Sequence, residues 1–243
     1  MKIVAIIQAR TGSSRLPAKI FKEICGASML SHVVNRTKLA TNVGLVLVAT
    51  TTETRDDRVV GECERLEVPV FRGSELDVLD RYYHAALSHH ADVVVRITSD
   101  CPLIDPDVVD RVIDLFLQEG PDYASNGLVR SYPRGLDTEV FTFESLARAW
   151  REANEQYQRV HVTPYIYQHP QFFKLLPVMS GEDYGDYRWT VDTQEDLDFV
   201  RAVCDRLSPV QQIRWRQVLE LLKIHPELRD INSLINQKLL HEG

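Results

Sequence analysis

The chain has 243 residues, 44% of them hydrophobic and 26% charged, with a formal net charge of −7. That length suits one large α/β core, and the composition excludes a disordered, collagen-like or repeat protein. The acidic balance argues against a nucleic-acid-binding surface, and no run of about eighteen apolar residues is present to span a membrane.

The chain opens into Lys2-Ile3-Val4-Ala5-Ile6-Ile7 with no cleavage site, which reads as a strand rather than a signal peptide. Short, β-branched, nearly continuously apolar runs at 2–8, 43–50, 68–72 and 92–98 predict strands buried on both faces of a parallel sheet. Helix-period segments at 28–40, 55–66 and 77–89 lie between them. In the first, Met29, Leu30, Val33, Val34 and Thr37 share one face. In the third, Asp77 suits the N-terminus, and Leu79, Tyr82, Tyr83 and Ala86 make the buried side. A fourth helix is expected from Asp105-Pro106, with Asp capping and Pro in the first position. This alternation predicts a doubly wound or related α/β sheet.

Beyond 120 the order is less regular, with strands expected at 122–125, 138–143, 172–178 and 187–191 and helices near 143–154 and 194–206. Phe172, Phe173 and Trp189 read as core. The tail, 210–241, predicts two helices broken at His225-Pro226, with Trp215, Leu219 and Leu222 packing on the domain or on a second subunit. The organisation is thus one domain over 1–208 with a helical C-terminal extension at 209–243. Cys25, Cys63, Cys101 and Cys204 are far apart and form no CxxC pair, so they read as reduced thiols of a cytoplasmic protein.

The first strand runs into Gln8-Ala9-Arg10-Thr11-Gly12-Ser13-Ser14-Arg15-Leu16-Pro17-Ala18-Lys19. Neither the Rossmann nor the Walker order of glycines is present. Arg10, Arg15 and Lys19 are instead interleaved with Gly, Ser and Thr, whose N–H and hydroxyl groups can cup anionic oxygens. Loops at the carboxyl ends of strands in an open α/β sheet are where ligands bind, and three converging cations suit a triphosphate. A solvated loop with incidental basic residues is the alternative.

Two carboxylates sit where a metal could be held. Asp100 leaves the fourth predicted strand in Arg96-Ile97-Thr98-Ser99-Asp100-Cys101-Pro102, and Asp192 follows Tyr187-Arg188-Trp189-Thr190-Val191. A hard cation bridging phosphates binds through one or two such groups plus water. The helix that follows could be capped by Thr193 or by Asp192, which makes Asp192 a cap in the alternative reading, as Asp105 is expected to be.

These blocks resemble those of cytidylyltransferases acting on 3-deoxy-octulosonate and acylneuraminate, and most closely the branch called spore-coat polysaccharide biosynthesis protein F-like. The matching blocks run in the family's order over residues 3–200. The resemblance implies a Rossmann-like, mostly parallel sheet flanked by helices, of the nucleotide-diphospho-sugar transferase type. It also implies a loop that wraps the CTP phosphates, with Gln8, Ala9, Arg10, Gly12, Ser13, Arg15 and Lys19 in contact and Arg10, Arg15, Lys19 and Asp100 catalytic. Asp100 and Asp192 would hold Mg²⁺. Arg72 and Asp77, in Arg72-Gly73-Ser74-Glu75-Leu76-Asp77, would face the nucleotide, unless they form a salt-bridged helix start. Arg134 and Asp137, in Pro133-Arg134-Gly135-Leu136-Asp137-Thr138-Glu139, would line the sugar pocket, where a guanidinium can grip a carboxylate. His161, in His161-Val162-Thr163-Pro164-Tyr165, would line the acceptor side, unless it is structural.

The activity implied is transfer of CMP from CTP to a 2-ulosonic type of sugar acid, releasing pyrophosphate, by a homodimer. Three departures from the branch stand out: Ala18 and Ser99 where Gly is common, and Val160 where Glu is usual. A methyl group at 18 is tolerated unless φ is positive. The rival readings are a nucleotide-sugar-dependent glycosyltransferase, which needs no triphosphate clamp, and a non-catalytic nucleotide-binding subunit of a polysaccharide pathway.

Overall fold

The computed structural model describes residues 1–237. Its centre is a seven-stranded sheet. In chain order the strands and helices are β1 (Ile3–Gln8), β2 (Glu23–Ile24), β3 (Ala27–Ser28), α1 (Met29–Thr37), β4 (Leu45–Thr51), α2 (Asp57–Arg65), β5 (Val70–Gly73), α3 (Val78–Ser88), β6 (Val93–Thr98) and α4 (Pro106–Glu119). There follow β7 (Tyr123–Ser125), β8 (Glu139–Thr142), α5 (Phe143–Glu152), α6 (Gln156–His161), α7 (Pro164–Tyr167), β9 (Leu175–Pro177), α8 (Gln194–Arg206) and α9 (Trp215–Ile224). The sheet order is β5-β4-β1-β6-β8-β7-β9, and β2 and β3 form a separate hairpin. Strands β5, β4, β1 and β6 are parallel, and β8 runs antiparallel to both β6 and β7. The fold is therefore Rossmann-like and mostly parallel.

Strand β1 pairs with β4 on one side and β6 on the other, so the order reverses beside it. That reversal opens a crevice at the carboxyl ends of the strands. The apolar runs make β1 buried on both faces. Ile3, Ala5 and Ile7 pack with α1, α2 and α4, while Val4 and Ile6 pack with α3 and α5 to α7. The expected faces of α1 and α3 are buried, with Tyr83 half-buried and stacked on Trp150 at 4.1 Å between centroids. Asp105 caps α4 by accepting from Asp107 N at 2.9 Å.

Three expectations need correction. Residues 187–191 do not form a strand: Arg188 makes one isolated bridge to Arg134. The segment's amides go to loops instead, Trp189 N to Arg134 O at 2.7 Å and Val191 N to Asp100 O at 2.8 Å. Its alternation reflects Trp189 and Val191 filling a third core beneath α8 and α9. The strand expected at 172–178 shortens to Leu175–Pro177, and Phe172 is exposed with the Arg148 guanidinium over its ring. The tail breaks at His225 as expected, but its second piece is a 3₁₀ turn over Pro226–Ile231. The part of that expectation beyond 237 lies outside the described residues. Trp215, Leu219 and Leu222 are buried within the chain itself, against Tyr132, Leu197 and Val200 among others.

Candidate active site

Strand β1 delivers its loop into the crevice. The Gln8 carbonyl accepts from Ser99 N at 3.2 Å and Ala9 N donates to Ala49 O at 3.1 Å, so the chain leaves the sheet between β4 and β6. The Gln8 side-chain oxygen is buried without a hydrogen-bond partner among the described residues. Asp56, fully buried, then shapes the loop. Its Oδ1 accepts from both Thr11 N and Thr11 Oγ1 at 2.7 Å, and its Oδ2 accepts from the Thr51 hydroxyl. Burial alone would raise the Asp56 pKa, but the hydrogen bonds from Thr51 and Thr11 outweigh it and hold the pKa below its ordinary value. Ser13 Oγ accepts from Leu16 N at 3.4 Å, and Ala18 turns the chain through a left-handed φ of 51° into Lys19.

That path brings Arg15 and Lys19 onto the two predicted metal carboxylates. Lys19 Nζ donates to Asp100 Oδ2 at 2.8 Å, to Asp192 Oδ1 at 2.8 Å and to the Val191 carbonyl at 3.0 Å. Arg15 lies 3.0 Å from Asp192 Oδ2. The two carboxylates come from segments far apart in sequence, held side by side by the Val191 N to Asp100 O bond. Burial would raise the Asp100 pKa; the Lys19 charge and hydrogen bond overcome this and pull it down to about 2. Burial lowers the Lys19 pKa, but Asp100 and Asp192 more than restore it, leaving it above its ordinary value.

Arg188, which the sequence reading did not single out, completes the cluster. Its guanidinium donates to Asp192 Oδ2 at 2.9 Å and to both oxygens of Asp196, at 2.9 and 3.0 Å. Asp196 also accepts from Asp192 N at 3.0 Å and Thr193 N at 3.1 Å. Thr193, not Asp192, caps α8, accepting from Asp196 N. The only sequence signal for Arg188 is its i, i+4 spacing to Asp192. That spacing carries meaning in a helix, but this segment is extended.

The other candidates pair with other groups among the described residues. Arg10 is 3.6 Å from Glu75, which also pairs with Arg55 beside Gly12. Arg72 pairs with Asp57 at 2.7 Å and donates to the Thr51 and Glu53 carbonyls. Asp77 caps α3 and is held by both Nε and Nη2 of Arg159. Each thus takes part in a salt-bridged helix start, Arg72 at that of α2 and Asp77 at that of α3, rather than in one they share. His161 ends α6, next to Thr163, whose hydroxyl donates to Glu139 at 3.0 Å.

Arg134 and Asp137 occupy one loop, packed on the segment that carries Asp192. Gly135, at φ 105°, lets this loop lie directly on the Trp189–Thr190 backbone, where a Cβ would fall 2.7 Å from Thr190 N. Asp137 is bound by Arg130 at 2.5 Å and by Gly135 N at 2.8 Å. The Arg134 side chain makes no ion pair or hydrogen bond among the described residues, and it is half-buried. Its pKa is lowered by burial and then by the like charges of Arg130 and Arg188, against the pull of Asp137.

The donor set suits a hard cation shared with phosphates. Asp100 and Asp192 both close on one atom, Lys19 Nζ, at 2.8 Å, so both can close on one ion. No cluster of three or more His, Cys, Asp or Glu side chains capable of holding a metal occurs among the described residues. Two carboxylates without further protein ligands match Mg²⁺, which takes its remaining oxygens from phosphates and water, and do not match zinc.

The cytidylyltransferase family model matches residues 4–231. An uncharacterized protein of Methanocaldococcus jannaschii is 38% identical over 100% of this chain and 99% of its own. The spore coat polysaccharide biosynthesis protein SpsF of Bacillus subtilis is 30% identical over 93% of this chain and 95% of its own. Among solved structures, a cytidylyltransferase from Leptospira borgpetersenii superposes with a TM-score of 0.91 at 33% identity, covering 98% of this chain and 99% of the other. With the match spanning nearly the whole chain and the loop and carboxylates in its crevice, this protein belongs to the cytidylyltransferase family.

Proposed function

We propose that the protein transfers CMP from CTP to the hydroxyl of an acidic sugar, for polysaccharide or glycan biosynthesis in the cytoplasm. The acceptor oxygen attacks the α-phosphorus, the bond from that phosphorus to the oxygen of the β-phosphate breaks, and pyrophosphate leaves. The hydroxyl proton passes to water. The observation that carries the reading is the convergence of Arg15, Lys19, Asp100 and Asp192 on one point at the carboxyl ends of β1 and β6.

In this reading Arg15 and Lys19 hold phosphate oxygens, and Asp100 and Asp192 hold Mg²⁺. When bound, Mg²⁺ supplies charge neutralisation on the triphosphate and the leaving pyrophosphate. The chain's own work is positioning and charge complementarity rather than covalent chemistry. The acidic character of the acceptor is supported by Arg134. A half-buried guanidinium crowded by two others and bound by no anion among the described residues is set up for a ligand carboxylate, which it can grip in two parallel hydrogen bonds.

Pyrophosphate release over a panel of neutral sugars and sugar acids, with each of the four ribonucleoside triphosphates, tests this directly. Release is expected with CTP and an acid only. Arg134→Ala should raise KM for the acid by roughly tenfold or more, the scale of a lost charge-assisted pair, and leave KM for CTP unchanged. Equal rates with neutral sugars, or an Arg134→Ala effect on CTP alone, would remove the acidic acceptor. Turnover of a nucleotide-sugar without pyrophosphate release would favour the glycosyltransferase rival.

A further inference from the structure

Lys19 is the residue whose geometry goes furthest beyond holding a phosphate. An ammonium has three N–H donors and no acceptor. All three are used, on Asp100 Oδ2, Asp192 Oδ1 and the Val191 carbonyl, at 2.8 to 3.0 Å. The side chain is 13% exposed. Its nitrogen therefore occupies the point on which both carboxylates close, the point a divalent ion would take.

The surrounding charges balance. Lys19, Arg15 and Arg188 face Asp100, Asp192 and Asp196, three cations against three carboxylates, linked pair by pair through Asp192. A metal ion arriving alone meets a neutralised pair. To enter, it must evict an ammonium from a half-buried place and leave that charge and Arg15 without an anion, which costs far more than breaking an exposed pair. A nucleoside triphosphate changes the balance. Its oxygens offer Lys19 and Arg15 new partners while the incoming cation takes over the carboxylates, so each charged group exchanges one partner for another. The lysine needs only to swing its side chain, because its backbone is fixed by Lys19 N bonding Leu16 O and by the Ala18 turn.

We propose that the Lys19 ammonium is the resting counter-ion of the Asp100–Asp192 pair, and that it makes metal entry conditional on a triphosphate that draws it away. The proposal rests on the reading of those aspartates as the metal-holding pair. It assigns Lys19 a positioning role that phosphate contact alone does not require: it holds the two carboxylates together before substrate arrives and excludes free divalent cations.

The test is Mn²⁺ binding without nucleotide, read from loss of the free-ion electron paramagnetic resonance signal. The full chain should bind no Mn²⁺ at concentrations where Lys19→Met binds it, with an affinity gain of at least about tenfold. That gain should vanish in Lys19→Met/Asp100→Asn. Lys19→Gln, which keeps hydrogen-bonding capacity and loses the charge, gives the same reading if Lys19→Met does not fold. Nucleotide-free binding by the full chain as tight as by the Lys19 variants would overturn the proposal, as would binding by none of them. Failure of the underlying reading looks different: Asp100→Asn would then keep full CTP-dependent pyrophosphate release. If Asp100→Asn is inactive but the full chain binds Mn²⁺ freely, the metal pair stands and the counter-ion role falls.

Discussion

Asp192 is touched by three cations and Asp100 by one, so the two carboxylates answer differently to loss of a partner. The Asp100 pKa, brought to about 2 against the effect of burial, depends on Lys19. A depressed folded pKa means that the unfolded chain takes up the proton first as pH falls. The stabilisation is then complete above the ordinary Asp value near 4 and is lost as pH falls through about 2. Its size is on the order of 2 kcal/mol. Urea unfolding of the wild type between pH 4 and 2 should therefore lose stability more steeply than Asp100→Asn. Parallel slopes would mean that the Lys19–Asp100 pair adds nothing to the fold. At this scale the sequence was informative where chemistry is local: a carboxylate ending a buried strand, and cations spaced through a loop. Arg188, Asp196 and Arg130 escaped notice because their partners are chosen by tertiary packing. Nothing in the run Tyr187-Arg188-Trp189 says that its arginine will close on two acids.

The loop after β1 holds its form by one strained residue as well as by Asp56. Ala18 sits at φ 51°, ψ 35°, where a Cβ meets the following carbonyl. The resemblance implies Gly at this position, and the geometry supplies a reason: the chain turns left-handed to start the 3₁₀ turn Lys19–Phe21 that aims Lys19. The left-handed penalty is about 1–2 kcal/mol, and the extra freedom of unfolded glycine offsets about 0.5–1 of it. Ala18→Gly should therefore stabilise the protein by roughly 0.5–1 kcal/mol, measured by urea unfolding, with pyrophosphate release retained. Destabilisation would mean that the methyl group packs usefully in the turn. Several helices were legible in the sequence: α1 and α3 lie close to where their apolar faces place them, α5 and α8 lie near the expected ranges, and α4 starts where Asp105-Pro106 signals it. The hairpin β2–β3 and the short helices α6 and α7 were not, since none is long enough to show a period. The segment 187–191 misled because alternation marks one buried side, whatever the backbone bonds to.

The tail is bound into the whole molecule by two buried charges rather than laid on it. Arg36 of α1, 1% exposed, donates to carbonyls on both sides of the boundary, Ile104 at 2.7 Å, Val210 at 2.5 Å and Ile213 at 2.8 Å. Asp105, 0% exposed, joins two helix N-termini, accepting from Asp107 N of α4 at 2.9 Å and from Trp215 N of α9 at 2.6 Å. Trp215, Leu219 and Leu222 complete the attachment, and since they are buried within one chain, this helix face gives no support to the two-copy assembly implied by the resemblance. Asp105 is the point where the attachment can be tested. Asp105→Ala would leave the buried Trp215 N–H without an acceptor, costing roughly 1–3 kcal/mol, would remove the cap of α4, worth roughly 0.5–2 kcal/mol, and would leave Arg36 without its neighbouring carboxylate. The variant should lose roughly 2–4 kcal/mol, a Tm drop of roughly 5–12 °C for a chain of this size. The loss should be local first: amide exchange across 214–222 should accelerate before that of β1 and β6, since the sheet keeps its own bonds. Unchanged exchange in α9 with a Tm within about 2 °C of wild type would show that Arg36 and apolar packing hold the tail without Asp105. Accelerated exchange throughout would instead make α9 part of the same cooperative unit as the sheet, with Asp105 as a staple of the whole fold.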